Sequence, residues 1–326
     1  MTKQRFVMEF ERPLLELEAK LDELRHLELA ANTDLAEEID DLAAQIERLH
    51  VETYRKLSPW DRVQISRHPE RPRTQHYVEA LFTDVIELRG DRNFGDDEAI
   101  LAALATMGDR RVVVVGHRKG TDTKENIRRN FGSPHPEGFR KAMRAFDLAQ
   151  KFGLPVVSFL DTAGASPGIE DEERGQAWAI AESLAKLSAL RVPVVVVGIG
   201  EGGSGGALAI GFGDRLLMLE NAYYSVISPE MCAQILYRDS GQAEAASACL
   251  RMTASDLVGM GIVDEVLAEP LGGAHRDRSA VFASVAEAVA RSLDELAAVP
   301  TDELVAQRYD RLRAIGEFCT LSEAPV

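Results

Sequence analysis

The chain has 326 residues, enough for a large core, and its 45% hydrophobic and 28% charged residues exclude a membrane-embedded or low-complexity protein. A formal net charge of −16 leaves no broad basic surface to neutralise phosphates, so nucleic acid is excluded as the main partner. Cys232, Cys249 and Cys319 stand far apart with no CxxC pair, which argues against a disulfide framework or a zinc ribbon and for a reducing compartment. No apolar run reaches the roughly 18–20 residues of a membrane span. Glu9, Glu11 and Glu16 interrupt any secretory core, and a cytoplasmic location is expected.

Residues 1–67 carry a helical period. Leu14, Leu17, Leu21 and Leu24 form one apolar seam, and Leu35, Ile39, Leu42, Ile46 and Leu49 form another. Asp34 with Glu37 three residues on reads as a box opening the second helix. Two short seams with charged outer faces predict a helical hairpin for packing or subunit contact. Arg67-His-Pro-Glu-Arg-Pro-Arg73 breaks the pattern, helix resumes over Tyr77–Leu88, and Arg89–Asp97 is a loop. From Ala99 the character is α/β, with paired strands at Ile100–Met107 and Arg111–Gly116 around Gly108-Asp109.

Within His117–Arg129 the basic residues Arg118, Lys119, Lys124, Arg128 and Arg129 face only Asp122 and Glu125 as acids. Two readings stay open there: contact with a phosphate-bearing ligand, or pairing with acidic neighbours. An amphipathic helix over Glu137–Phe152 and a buried strand over Pro155–Leu160 follow. The strand ends in the loop Asp161-Thr-Ala-Gly-Ala-Ser-Pro-Gly168, and a helix is expected from Ile169 to Leu190. Further strands are expected at Asp214–Leu219 and Ala222–Ile227, then a helix opened by Ser228-Pro229-Glu230 and another near Ala243–Met252. A helix, turn and strand close the α/β region over Asp256–Val266, and helices at 280–297 and 301–316 end the chain.

The organising stretch is Pro193–Gly211. Val194–Val197 reads as a buried strand, glycines crowd between Gly198 and Gly206, and Ala207–Ile210 begins a tightly packed helix. Such a junction collects unpaired backbone N–H groups at one point, suited to a negative oxygen. Four readings compete. Gly198-x-Gly200-x-x-Gly203 with Glu220 downstream matches a dinucleotide fingerprint, although it comes late in the chain. Gly202-x-Ser204-x-Gly206 matches a nucleophile elbow, with Asp264 and His275 following in hydrolase order. The amides of Gly205 and Gly206 could form an oxyanion hole with no side-chain chemistry. Alternatively, the glycines only let a helix pack closely on its strand.

Longer stretches carry a resemblance. They are Arg67-His-Pro-x-Arg-Pro72, Gly116-His-x-Lys-Gly120, Thr123-Lys-Glu125, Ile127-Arg-Arg-Asn-Phe-Gly132 and Glu173-Arg-Gly-Gln176. Gly200–Gly211, Tyr224–Glu230 and Glu269–Arg276 continue the match. Over almost its whole length the chain resembles the α-subunit family of the bacterial acetyl-CoA carboxylase carboxyltransferase. The resemblance implies the crotonase (ClpP-like) α/β fold of stacked ββα units, with the N-terminal hairpin at 1–67, the carboxyltransferase domain at 68–297 and a C-terminal helix and tail at 298–326. It also implies transfer of a carboxyl group from carboxybiotin, carried on a biotin carboxyl carrier protein that an ATP-using biotin carboxylase charges, to acetyl-CoA. The product is malonyl-CoA for fatty-acid synthesis.

By the same resemblance a β subunit of the same fold, bearing a zinc ribbon, completes an α2β2 assembly, and this chain holds no metal. Two oxyanions arise, one on biotin and one on the thioester. The hole in this chain falls to Gly205 and Gly206, on the biotin side. Gly164, Gly202, Gly203, Arg118, Lys119, Arg128 and Arg129 are the expected substrate contacts, and Ser204 is a small residue capping the helix. Ala163 and Ser166 depart from the proline and tyrosine common in the family, which implies a slightly different substrate position.

Overall fold

The computed structural model describes residues 6–31 and 35–316. The two leucine seams meet as expected. Helices α1 (Arg12–Ala31) and α2 (Ala36–Arg55) pack through Leu17, Leu21 and Leu24 against Leu35, Ile39, Leu42 and Ile46. At the other end Leu14 and Leu49 join Met8, Tyr54 and Ile65, which ties the hairpin to helix α3 (Pro59–Ser66). Asp34 lies outside the described residues, and Leu35 occupies the N-cap of α2 with no side-chain cap.

Among the described residues eight strands form one sheet in the order β1-β2-β3-β4-β5-β6-β8, with β7 paired to β5 beyond its neighbours. The hairpin β2 (Ile100–Met107) and β3 (Arg110–His117) turns at Gly108-Asp109 as expected, and from β3 onward every pairing is parallel. Strands β4 (Val156–Thr162), β5 (Val194–Gly203) and β6 (Arg215–Leu219) are valine- and leucine-rich because both faces are covered. Helices α6 (Pro136–Phe152) and α8 (Gln176–Ala189) cover one part, and α4 (Thr74–Leu81) and α13 (Arg278–Ala297) another. Short elements complete the order: α5 (Thr123–Arg128), α7 (Ile169–Glu173), α9 (Ser204–Leu208), β7 (Tyr223–Ser225), α10 (Pro229–Tyr237), α11 (Ala243–Leu250), α12 (Ala254–Gly259) and β8 (Glu265–Leu267). The last helix, α14 (Thr301–Arg313), is fastened by buried Arg308. Its guanidinium grips Asp214 and donates to the carbonyls of Leu187, Leu190 and Val192.

Four expectations change. Tyr77–Leu88 is not one helix: it divides at Phe82 into α4 and the edge strand β1 (Thr83–Glu87), where Thr83, Val85 and Ile86 favour the pleat and β2 offers a ladder. Ile169–Leu190 breaks into α7 and α8 at Gly175, which takes the left-handed φ of 81° that stops a helix. Strand β5 runs through the glycines to Gly203, because β7 pairs with Glu201, Gly202 and Gly203. The helix after it begins at Ser204, not Ala207, and lasts little more than one turn.

Candidate active site

Strand β5 delivers the Ser204-Gly205-Gly206 turn to the carboxyl end of the parallel sheet, the edge where α/β proteins bind ligands. The first N–H groups of a helix have no partner inside it. Here Gly203, at the N-cap, has no side chain to supply one. Among the described residues, neither the Gly205 nor the Gly206 N–H donates a hydrogen bond.

Two hollows adjoin this turn and share Ser204, Gly205 and Val226. One, of about 350 Å³, is lined by Ala163, Gly164, Ala165, Ser166, Ala177 and Ile180. The other, of about 370 Å³, reaches Leu208, Tyr224, Leu257 and Ile262. Neither contains a lysine or a carboxylate pair aimed at the turn: Glu172 borders the first and Arg251 the second.

The glycines do different jobs. A Cβ on Gly206 would stand 2.4 Å from the Ala165 nitrogen, and one on Gly203 would stand 2.0 Å from the Ala163 oxygen. Close packing of the turn against the loop after β4 therefore demands glycine at both positions. Gly205 differs: its Cβ would meet only the tips of Ile180, at 3.4 and 3.7 Å. Gly202 lies in the β5–β7 pairing against the Tyr224 ring, and Gly164 sits in the facing loop with φ 153°.

The structure separates the residues of the hydrolase reading. Leu216, whose N–H donates to Asp264, pairs with Val196, so Asp264 stands at the opposite edge of the sheet from Ser204. Seven residue steps of strand separate Val196 from Gly203, roughly 20 Å at the usual rise per residue. Asp264 is held by Arg311, and His275 stacks on His68 with ring centroids 3.7 Å apart. No triad is assembled. Ser204 is the first helical residue and caps nothing, contrary to the expected role. The dinucleotide reading fails because Gly198 and Gly200 lie within strand β5, where Gly198 pairs with Leu160 and Met218, rather than in a turn before a long helix.

Of the basic segment, Lys119 is the most enclosed. Its Nζ lies 2.8 Å from Asp161 Oδ1 and 2.6 Å from Glu201 Oε1, and all three side chains are less than a tenth exposed. Arg73 approaches Asp161 at 3.5 Å, Arg67 bridges Glu201 and Glu230, and the Tyr223 hydroxyl donates to Glu201. Burial opposes ionisation of Glu201, but the Lys119 and Arg67 charges outweigh it and hold its carboxyl far below the ordinary range. Burial likewise opposes, and Lys119 and Arg73 outweigh, for Asp161. Arg118 pairs with Glu87, and Arg129 with Glu125 and the Lys119 carbonyl. Arg128 reaches Glu98 yet keeps 54% of its side chain exposed, more than any other expected contact of this segment. Sequence reasoning missed Asp161, Glu201, Arg67 and Arg73 as one cluster. The available signal was an acid at the end of one apolar strand and another inside a glycine run, since charges rarely go inside unpaired.

Among the described residues no group of three or more His, Cys, Asp or Glu side chains could hold a metal ion, and no helix is long and apolar enough to cross a membrane.

The fold is shared with enzymes of known structure. Transcarboxylase 12S superposes with a TM-score of 0.56 at 17% identity, covering 77% of this chain and 44% of that one. A Pseudomonas malonate decarboxylase hetero-tetramer, solved with coenzyme A, gives 0.56 at 18% identity over 68% and 89% of the two chains. The glycine-turn sheet is thus that of the crotonase fold. The chain belongs to the acetyl co-enzyme A carboxylase carboxyltransferase-like family, whose model matches residues 7–316. It is 52% identical to the acetyl-coenzyme A carboxylase carboxyl transferase subunit alpha of a Thermus thermophilus strain, over 95% of this chain and 98% of that protein. It is 50% identical to the subunit of the same name from Geobacillus kaustophilus, over 97% of each.

Proposed function

We propose that this chain is the alpha-type half of a carboxyltransferase that moves a carboxyl group from carboxybiotin to acetyl-CoA, giving malonyl-CoA in the cytoplasm. The observation that carries the reading is the pair of unpaired Gly205 and Gly206 N–H groups in a turn whose Gly205 lines a hollow with alanines, Ile180 and Val226 in its walls. Backbone donors fixed in such surroundings stabilise a developing negative oxygen far more than water does. The hollow also suits the group implied. A biotin ring system is flat, neutral and ends in a carbonyl oxygen, and the alanines, Ile180 and Val226 offer it apolar walls. Bound there, carboxybiotin supplies an activated carboxyl group. The chain's own residues hold the negative oxygen through the two amides, exclude water with the walls, and shape the cradle with Gly164, Gly202 and Gly203. Exposed Arg128 would meet a phosphate of coenzyme A, a reading supported by its exposure, whereas Arg118, Lys119 and Arg129 are paired within the chain.

Two oxygens must be stabilised, and among the described residues there is one glycine turn of this kind. The reading therefore includes a second crotonase-fold chain, bearing a zinc ribbon, that faces the hollows in an α2β2 assembly. A biotin carboxyl carrier protein and biotin carboxylase supply the carboxyl group upstream. Exposed Val226, Met231, Ile235 and Leu236, on and beside α10, give that partner an apolar surface at the rim. Carboxyl transfer from malonyl-CoA to free biotin tests the reading. The isolated chain should show negligible turnover and addition of the partner should restore it. Full turnover by the isolated chain, unchanged by the partner, would overturn the two-chain reading.

A further inference from the structure

One buried side chain touches the glycine turn from beneath and is used by nothing described so far. His117 ends β3 and is fully enclosed, with its Nε2 3.1 Å from the Gly206 carbonyl oxygen. That oxygen can only accept, so Nε2 carries the proton. Nδ1 then faces the Asp161 N–H as acceptor at 3.4 Å, and the His117 carbonyl accepts from the Thr74 hydroxyl. Burial lowers the imidazole pKa to about 4, so the ring is neutral at physiological pH and this single tautomer satisfies both neighbours.

The Gly206 carbonyl needs such a partner. In a regular helix it would accept from the Ile210 N–H. Here Ile210 donates to Ala207 and Gly211 to Leu208, because α9 tightens and stops after one turn. Two adjacent glycines carry no side chains to pin their peptide planes, and glycine backbone rotates more freely than any other. The direction of the Gly205 and Gly206 N–H groups is thus set by what holds the surrounding backbone.

We propose that His117 is a positioning residue for the reaction: its Nε2–H anchors the Gly206 carbonyl from the sheet side, fixing the Gly206–Ala207 peptide plane that adjoins the two oxyanion-binding amides and so holding Gly206 in the turn that carries them. The proposal rests on the reading that those amides hold an oxyanion.

The test uses the two-subunit enzyme and steady-state transfer from malonyl-CoA to biotin. His117→Asn keeps a polar side chain but is too short to reach the Gly206 carbonyl, whereas His117→Gln places an amide N–H near the position of Nε2. A misplacement of the amides by an ångström predicts a kcat loss of about 100-fold for His117→Asn. KM should stay within about twofold, and His117→Gln should recover most of kcat, because orientation is lost and not ground-state binding. Two outcomes would overturn the proposal. One is wild-type kcat in folded His117→Asn. The other is an equal loss in both variants that follows their thermal unfolding midpoints, which would assign His117 to packing alone. Gly205→Pro, which deletes one of the amide protons, separates this from the underlying reading. If it abolishes turnover while His117→Asn does not, only the positioning role fails. If it leaves kcat unchanged, the oxyanion reading fails with it.

Discussion

The last residues of strand β5 serve two regions built on opposite principles. Glu201 enters a buried cluster in which Lys119, Arg67, Arg73 and Asp161 satisfy one another. Three residues on, the Ser204–Gly206 turn adjoins two hollows, one walled by alanine, isoleucine and valine and the other mainly by leucine, with unpaired N–H groups as the donors. The charged region looks like a catalytic constellation, yet its acids are paired with its own cations, and of its buried side-chain atoms only the Arg73 Nε lacks a hydrogen-bond partner. The uncharged region looks inert and is where donors remain unsatisfied. A carboxylate held so far below its ordinary range is a poor base, so depth of ionisation here marks a structural brace beneath the site. In this fold the chemistry is placed by backbone geometry, and the charges hold that geometry up.

The largest expected effect tests the brace. Lys119→Met removes the cation between two buried carboxylates, and breaking such a pair costs about 3–5 kcal/mol of stability. The pH dependence follows from the direction of the shifts. Glu201 and Asp161 are depressed in the folded state, so their contribution is complete above their unfolded values, near the ordinary 4.5 and 3.8, and is lost as pH falls through the folded values. The wild-type advantage over Lys119→Met in urea unfolding should be full at pH 7 and shrink below about pH 4. A variant as stable as wild type at pH 7 would remove the brace from the comparison.

Next in size is the turn. Proline is tolerated in the first turn of a helix, and Gly205 is its second residue, with room for a Cβ. Gly205→Pro deletes an N–H at a position open to a Cβ, its unfolding midpoint checks that Ser204 accommodates the ring, and loss of one oxyanion donor lowers kcat by about 100- to 1,000-fold. Gly205→Ala keeps the N–H and should stay within about tenfold of wild type, the remaining loss coming from a methyl in the hollow. Position 206 is a poorer probe: any side chain there collides with the Gly164-Ala165 backbone, so packing and chemistry fail together. Equal activity in the two Gly205 variants, with equal unfolding midpoints, would reduce the turn to a packing device.

Much of this arrangement is legible in the sequence because it is local. The leucine seams of α1 and α2, the hairpin at Gly108-Asp109 and the Ser228 cap of α10 each follow from spacing within a few residues. The free amides are legible too, since a glycine run after a valine strand leaves few side chains to cap the next helix. What stays hidden is long-range. Nothing near Lys119 in sequence announces that Asp161 and Glu201, from two neighbouring parallel strands, will close on it. Spacing alone leaves the segment open between ligand contact and pairing, and the structure gives Arg118, Lys119 and Arg129 partners within the chain. The edge strand β1 escapes a sequence reading because five exposed or half-exposed residues carry no buried face for a pattern to reveal. His117 carries only its place in the Gly116-His-x-Lys-Gly120 stretch and at the end of a strand that buries every one of its valines, and neither says what its ring touches.

The smallest expected effect concerns the residue that most resembles a nucleophile. Ser204 is exposed, lines both hollows and holds φ at 52°, a left-handed conformation that costs a non-glycine residue about 1–2 kcal/mol and that nucleophile elbows share. Strain alone makes no nucleophile: a serine hydroxyl needs a base within hydrogen-bond reach. Its hydroxyl makes no hydrogen bond among the described residues. His117, on the buried side of the turn, spends Nε2 on the Gly206 carbonyl, and His275 is stacked on His68. Ser204→Ala should therefore retain kcat within about threefold, since only an unpartnered hydroxyl is lost. A fluorophosphonate should leave the wild-type protein unlabelled by intact mass. Ser204→Gly relieves the left-handed strain and should raise the unfolding free energy by up to about 1 kcal/mol. The two readouts are independent: stability reports the backbone that shapes the turn, and labelling reports the chemistry of the side chain. Stoichiometric modification of Ser204 would place a reactive group in the region read here as pure backbone, and the contrast between the two ends of β5 would fall.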